Sequence, residues 1–182
     1  MPAIVVDGRT TPLLHVSQLA AALGVAAPDA WPAGRLALET VPVLESWLDS
    51  VRTLDFELLT TPTPSRGRSL RNLTVNVFHP FELLPAAWVT SAFPWEPERD
   101  DEQEALLTSA ADVVAFAERA LAEWMGFVRT EGSALDARDP LVSSPRGEVY
   151  FSALVDSQLR HARFHHDQLV DFLRNRGITD PR

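Results

Sequence analysis

Four long stretches of this chain repeat their apolar residues at the spacing of an α-helix. They span about residues 36–59, 69–90, 102–129 and 145–175, and segments rich in proline, glycine and charge separate them. Apolar residues that recur every three or four positions form one stripe along a helix, and that stripe favours burial. Four such helices in a chain of 182 residues predict an all-α fold, a four-helix bundle.

The N-terminal part of the chain does not follow this pattern. Residues 1–35 are predicted to form a small appendage in front of a bundle domain of residues 36–182. Within the appendage, the β-branched run at residues 4–6 followed by Asp7 and Gly8 predicts a short strand that ends in a turn. Beyond residue 10 no clear alternating pattern indicates a further strand.

Several local signals predict where the helices begin and break. Ser69 is a suitable N-cap for the second helix, which Pro80 and Pro85 are expected to kink or interrupt. The charged segment 91–103 and the segment 130–147 are predicted to be loops. The last helix is expected to begin near Pro145, at the end of the segment 130–147.

Composition excludes several classes of function. The chain has no cysteine, so a metal would have to bind histidine, carboxylate or water, and any thiol would come from outside. The net charge of −9 argues against a nucleic-acid partner. No stretch reaches the roughly 18–20 apolar residues of a membrane span. The chain start lacks the pattern of a signal peptide, which makes the cytoplasm the expected location. The sequence leaves open whether the protein forms a homodimer.

The last helix carries three of the five histidines in the chain. On a helical wheel, His161 and His165 fall within the apolar arc together with Gln158, while His166 lies near its edge. Two histidines four residues apart stack one turn above the other, and both imidazoles can then reach one cation. Two interpretations remain open for the pair: half of a metal site, or buried polar residues bonded to a neighbouring helix.

His79 lies in the second helix, which is apolar almost all round and is therefore expected to be buried. On an ideal wheel it faces away from the bulkiest apolar side chains, but Pro80 follows it directly. A histidine beside a proline could bind a metal, or it could cap the carbonyl groups that the proline frees. The remaining histidine, His15, is expected to have a local structural role in the appendage.

The spacing His161-x-x-x-His165-x-x-Gln168 on the last helix, preceded by His79 in the segment LRNLTVNVFHPFE, resembles the DinB-like (YfiT-like) superfamily. The resemblance covers about residues 36–176. It implies a four-helix bundle of the up-down-down-up type. It also implies that His79, His161 and His165 bind one divalent metal ion inside the bundle, on a site open to water or substrate.

Within that superfamily, the resemblance points to the group of mycothiol-dependent maleylpyruvate isomerases and thiol S-transferases. It implies a divalent metal, zinc or nickel with iron and manganese as alternatives, since all of these accept imidazole. It further implies a low-molecular-weight thiol such as mycothiol or bacillithiol, and a small-molecule electrophile. A cation at an open site lowers the pKa of a bound thiol, and the resulting thiolate is the nucleophile.

Other polar and aromatic residues are candidates for supporting roles. Gln168 and Gln158 are predicted to contact a cofactor, with an interior amide bonded to a neighbouring helix as the alternative for each. Glu82 is either a further ligand or a surface carboxylate. Trp95 is the aromatic residue best placed to cover a pocket.

Three hypotheses about function follow. The first is a metal-dependent thiol S-transferase or isomerase. The second is a non-catalytic metal- or small-molecule-binding protein, which would bind metal without thiol-dependent turnover. The third is a structural bundle whose histidines are core residues and which would bind no metal.

Overall fold

The computed structural model describes residues 3–6, 9–12, 19–20, 23–25, 31–64 and 67–178. The predicted strand is confirmed: β1 (Ala3–Val6) pairs antiparallel with β2 (Arg9–Pro12), a strand that the sequence pattern did not predict. The predicted turn at Asp7 and Gly8 lies outside the described residues, and so does His15.

Six helices are described after this hairpin. They are α1 (Ala33–Arg52), α2 (Phe56–Thr60), α3 (Leu70–Thr90), α4 (Pro97–Ala105), α5 (Ala110–Ala137) and α6 (Phe151–Arg174). The four long helices α1, α3, α5 and α6 form the bundle. In it, α1 and α3 each pack against both α5 and α6. The predicted all-α four-helix bundle is confirmed.

The relative directions of the four helices follow from side-chain contacts. For each of three helix pairs, two contacts at different heights along the helices show whether the pair is parallel or antiparallel. These contacts are Gly34–Asp136 and Arg52–Glu118 between α1 and α5, Glu39–Arg163 and Ser46–His166 between α1 and α6, and Glu82–Arg119 and Trp88–Glu131 between α3 and α5. Helix α5 therefore runs antiparallel to α1, α6 runs parallel to α1, and α3 runs parallel to α5. The order is up-down-down-up.

A crossover joins α3 to α5, because two parallel neighbours cannot be joined by a tight turn. Residues 91–109 return along the bundle, and α4 within this crossover packs on α3. The prediction of a loop over 91–103 was therefore wrong in its second half, where Pro97 occupies the first turn of α4. The predicted third helix is in fact two helices, separated at 106–109, and the Ser109 side chain caps the second one.

Helix α3 is continuous from Leu70 to Thr90 despite Pro80 and Pro85, so the predicted interruption does not occur. The predicted cap is confirmed, since Ser69 Oγ accepts a hydrogen bond from the backbone N–H of Asn72 at 3.0 Å. Packing of the apolar helix on four neighbouring helices outweighs the cost of two missing backbone donors.

A second hairpin precedes α6, and the sequence reading missed it. Its strands are β3 (Leu141–Ser144) and β4 (Gly147–Tyr150), where a loop and the start of the last helix were predicted. The hairpin is fastened to the crossover, because the Phe93 N–H donates to the carbonyl of Ser143 and the Ser143 N–H donates to that of Ser91. Helix α6 consequently begins at Phe151 rather than near Pro145.

The core lies between the four long helices and is built around large aromatic side chains. Three buried tryptophans, Trp47, Trp88 and Trp124, each donate the indole N–H to a side-chain oxygen on a neighbouring helix. Pairing the buried N–H avoids a desolvation cost of about 1–3 kcal/mol. Among the described residues, no helix is long and apolar enough to cross a membrane.

Candidate metal centre

The predicted metal ligands come from two antiparallel helices of the bundle. His79 lies on α3, and His161 and His165 lie one turn apart on α6. The crossover helix α4 lies against α3 and contributes a buried carboxylate, Asp100. The structure thus places one buried acidic residue beside a set of imidazoles.

The Asp100 carboxylate, only 3% exposed, accepts three hydrogen bonds. Its Oδ1 lies 2.8 Å from His79 Nδ1 and 3.3 Å from Trp95 Nε1, and its Oδ2 lies 2.7 Å from Asn76 Nδ2. Three donors compensate for the burial of a carboxylate. Because a carboxylate only accepts, the proton of this bond belongs to His79 Nδ1, and the lone pair of a neutral His79 ring is then on Nε2.

The Asn76 side chain connects this carboxylate to His161. Its Nδ2 donates to Asp100, and its Oδ1 accepts from Arg68 Nη1 at 3.2 Å and lies 2.9 Å from His161 Nε2. A carboxylate on one side and a guanidinium on the other permit only one orientation of the amide. His161 Nε2 is therefore the donor in its contact with Asn76.

Burial, together with the smaller effect of the His165 charge, lowers the pKa of His161 to about 4, while Asn76 and Asp100 act in the opposite direction. His161 is therefore neutral at pH 7 and carries its lone pair on Nδ1. Binding of a cation at Nε2 would require this ring to release Asn76.

His165 completes the pair on α6. Its ring centroid lies 4.6 Å from that of His161, with the two ring planes at 77°. His165 Nδ1 lies 2.7 Å from Gln168 Oε1, so Nδ1 donates to the amide oxygen and the lone pair of the neutral ring is on Nε2. Gln168 therefore orients an imidazole, and its predicted contact with a cofactor stays a prediction.

A chain of hydrogen bonds thus joins His79, Asp100, Asn76 and His161, and the His165 ring lies edge-to-face with the His161 ring. The three imidazoles are brought to one region, but they do not converge on a common point in this arrangement. Within the described ranges, no group of three histidine, cysteine, aspartate or glutamate side chains is gathered closely enough to hold a metal ion. The three-histidine site remains a prediction.

The donor set nevertheless fits a divalent cation chemically. Histidines that bind metals commonly donate their second ring N–H to a carboxylate or carbonyl oxygen. His79 and His165 both have this arrangement, with Asp100 and Gln168 as the acceptors. In both rings the nitrogen that would bind a metal is Nε2.

The other predicted residues occupy different surroundings. Gln158 is buried on α6, 4% exposed, and its predicted role toward a cofactor is not tested. Glu82 lies 3.2 Å from Arg119 on α5, and burial raises the pKa of its carboxyl group while Arg119 lowers it. Glu82 is thus engaged in an ion pair. His166 faces α1, where its Nε2 lies 2.9 Å from Ser46 Oγ.

Trp95, the predicted pocket cover, lies beside the candidate site. Its ring centroid is 6.5 Å from that of His161 in an edge-to-face arrangement, and the guanidinium of Arg146 stacks over its ring at 4.9 Å. Because Trp95 also donates to Asp100, it contacts two members of the group formed by His79, Asp100, Asn76 and His161.

Sequence reasoning missed Asp100, Asn76 and Arg68. Asp100 belongs to the acidic run ERDDEQE, which looks like a solvated surface. For Asn76 a signal was present, since it lies three residues before His79 on the same face of an otherwise apolar helix. A buried amide in that position needs a polar partner.

A groove of about 390 Å³ lies elsewhere, between α1 and α5, and none of the histidines lines it. It is bordered by Gly34, Leu38, Val128, Gly132 and Asp136 among others.

Comparison with known proteins relates the fold to a solved structure. The chain matches no protein-family model, and no curated protein is significantly similar to it in sequence. Its structure is similar to that of YfiT from Bacillus subtilis, described as a probable metal-dependent hydrolase with an unusual four-helix bundle topology. The two superpose with a TM-score of 0.64 over 85% of this chain and 95% of YfiT, at 12% sequence identity.

At this identity the similarity establishes the fold, a four-helix bundle like that of YfiT. The resemblance to the DinB-like superfamily, which the histidine motif predicted, stays a prediction. The narrower resemblance to mycothiol-dependent enzymes stays a prediction.

Proposed function

We propose that this protein is a metal-dependent enzyme in which His79, His161 and His165 hold one divalent cation. The observation that carries the proposal is the pair of bonds at Nδ1, from His79 to Asp100 and from His165 to Gln168. Each bond fixes a tautomer whose lone pair is on Nε2, as imidazoles that bind metals require. The YfiT-like fold, whose solved example is described as probably metal-dependent, supports the same proposal.

The residues of the proposed site would have the following roles. His79 and His165 bind through Nε2, and His161 joins them through Nδ1 or, after it releases Asn76, through Nε2. Asp100 and Gln168 hold the rings in orientation. Trp95 limits the access of water to His161. Three protein ligands leave a coordination position open, and a cation bound there lowers the pKa of a water molecule or thiol.

Two nucleophiles fit such a site. Water would make the protein a hydrolase, the activity that the description of YfiT suggests. A low-molecular-weight thiol of the mycothiol or bacillithiol type would make it an S-transferase that acts on a small electrophile. The His-x-x-x-His-x-x-Gln motif supports this second, narrower form, and the lack of cysteine in the chain means that the thiol would be a co-substrate. Zinc and nickel are the first metals to test.

Metal binding is tested by calorimetric titration of the untagged protein with zinc and nickel. We expect one equivalent to bind, and His79→Ala, His161→Ala and His165→Ala each to weaken binding by more than roughly ten-fold. His166→Ala is the matched control, because His166 is on the same helix but faces Ser46. Affinity that is unchanged in all three variants would contradict the three-histidine site.

Turnover distinguishes the two nucleophiles. The metal-loaded protein is assayed with p-nitrophenyl acetate alone, and with 1-chloro-2,4-dinitrobenzene plus mycothiol or bacillithiol. Ester hydrolysis that requires metal supports the hydrolase, and thiol conjugation that requires metal supports the transferase. Metal binding with neither activity supports the non-catalytic binding protein instead.

A further inference from the structure

Arg68 is a cationic side chain that the proposed metal chemistry does not use. It stands just before the cap of α3 and is half-buried. Its Nη1 lies 3.2 Å from Asn76 Oδ1, the same oxygen that accepts from His161 Nε2 at 2.9 Å. One amide oxygen is therefore all that separates the guanidinium group from a candidate metal ligand.

The partner of Arg68 differs from those of seven other arginines in the described part of the chain. Seven arginines form ion pairs with a carboxylate: Arg52, Arg71, Arg99, Arg119, Arg160, Arg163 and Arg174. In the described part of the chain, Arg68 forms no such ion pair, and its hydrogen bond goes to a neutral amide. A partly buried guanidinium that is paired only with an amide retains its attraction for an anion.

The surroundings of Arg68 add to this positive character. The charge of Arg68 lies close to the site, since Arg68 Nη1 and His161 Nε2 both contact Asn76 Oδ1. A second guanidinium, that of Arg146, stacks on Trp95, whose ring edge approaches His161. Asp100 places a negative charge near the same ring, and its carboxylate accepts hydrogen bonds from His79, Trp95 and Asn76 rather than from Arg68.

We propose that Arg68 binds the carboxylate or phosphate group of an anionic substrate or co-substrate beside His161. A guanidinium has five N–H donors in a planar fork, and the bond to Asn76 uses one of them. The remaining donors can take two oxygens of one anionic group. This assignment deepens the proposed function and rests on it for the nature of the reaction, but not for anion binding itself.

Anion binding is measured on the metal-free protein by titration with sodium phosphate, sodium acetate and neutral acetamide at constant ionic strength. We expect the protein to bind phosphate, acetate or both in preference to acetamide, and the comparison of the two anions tells which group the site favours. Arg68→Ala should weaken this binding roughly ten-fold or more, as expected for loss of charge-assisted hydrogen bonds. Arg68→Lys keeps the charge but lacks the fork, and should weaken it less.

Arg163→Ala is the matched control. It also removes an arginine, but Arg163 is exposed on α6 and forms an ion pair with Glu39. Its affinity for anions should stay within about two-fold of that of the wild type. Equal affinity of wild type and Arg68→Ala, or no preference for anions over acetamide, would overturn the assignment. Circular dichroism checks that both Arg68 variants fold, and Arg68→Lys still decides if the alanine variant does not.

Zinc titration of the same Arg68→Ala protein reports separately on the proposed function. Intact zinc binding with lost anion binding supports both the metal centre and the anion subsite. Anion binding that depends on Arg68 in a protein that binds no zinc would leave the subsite standing and remove the proposed function.

Discussion

Acidification is a direct test of the surroundings of His161. In the folded protein the pKa of His161 is lowered to about 4, chiefly by burial. In the unfolded chain a histidine has a pKa of about 6.5. Between these two values the unfolded state binds more protons than the folded state, so the free energy of unfolding falls as the pH falls. The stabilising contribution is complete above pH 6.5 and is lost on the way to pH 4.

The magnitude follows from the separation of the two pKa values. A pKa of about 4 against about 6.5 corresponds to roughly 3 kcal/mol in total, and about 2 kcal/mol of this is lost between pH 7 and pH 5. A domain of this size is typically stable by about 5–15 kcal/mol, so the effect of this single ring is large enough to measure.

The assay is urea unfolding at pH 7, 6 and 5 in the presence of a chelator, which keeps any cation from competing with the proton. His161→Gln is compared with the wild type, because glutamine offers an N–H for Asn76 Oδ1 and does not titrate. Between pH 7 and pH 5 the wild type should lose about 2 kcal/mol more than the variant. Equal losses in the two proteins would refute the idea that His161 is held neutral by burial.

Four further predictions concern the metal and the bundle. Zinc at 100 times its dissociation constant should raise the free energy of unfolding by about 2.7 kcal/mol, measured by urea unfolding with and without EDTA. Asp100→Asn, which removes the charged acceptor of His79, should weaken zinc binding roughly 10–100-fold in a chelator-competition assay. Gly34→Ala should destabilise the fold by about 1–3 kcal/mol, because its Cβ would lie 2.6 Å from the Asp136 carboxylate that accepts the Gly34 N–H. Gly132→Ala, whose Cβ meets nothing within 4 Å, should instead stabilise it by about 0.5–1 kcal/mol.

The parts of the fold that the sequence predicts are those that local spacing determines. The apolar stripe along the last helix predicted that His161 and His165 face inward, and both rings lie one turn apart on the inner side of α6. The Ser69 cap was likewise predictable, since a serine side chain bonds to a backbone N–H only three residues ahead. Such signals need no knowledge of what the helix packs against.

The parts that sequence reasoning missed depend on contacts between distant segments. The hairpin before α6 is held by backbone bonds to Ser91 and Phe93, about fifty residues away in sequence, and its strands have no strong alternating pattern. Asp100 looked exposed because its neighbours in sequence are charged. Its burial depends on Asn76 and His79, which only the packed bundle brings to it.

The up-down-down-up order explains why the site contains an acidic residue from outside the four long helices. If α3 and α5 were antiparallel, a short turn would join them and no segment would lie along α3. Because they are parallel, residues 91–109 must travel back along the bundle, and α4 passes the level of His79 on the way. A carboxylate on α4 can therefore reach an imidazole on α3, and among the described residues the long helices themselves carry no buried carboxylate. In this topology the long helices supply the core and the imidazoles. The crossover supplies the carboxylate, Asp100, that orients one of these imidazoles, His79.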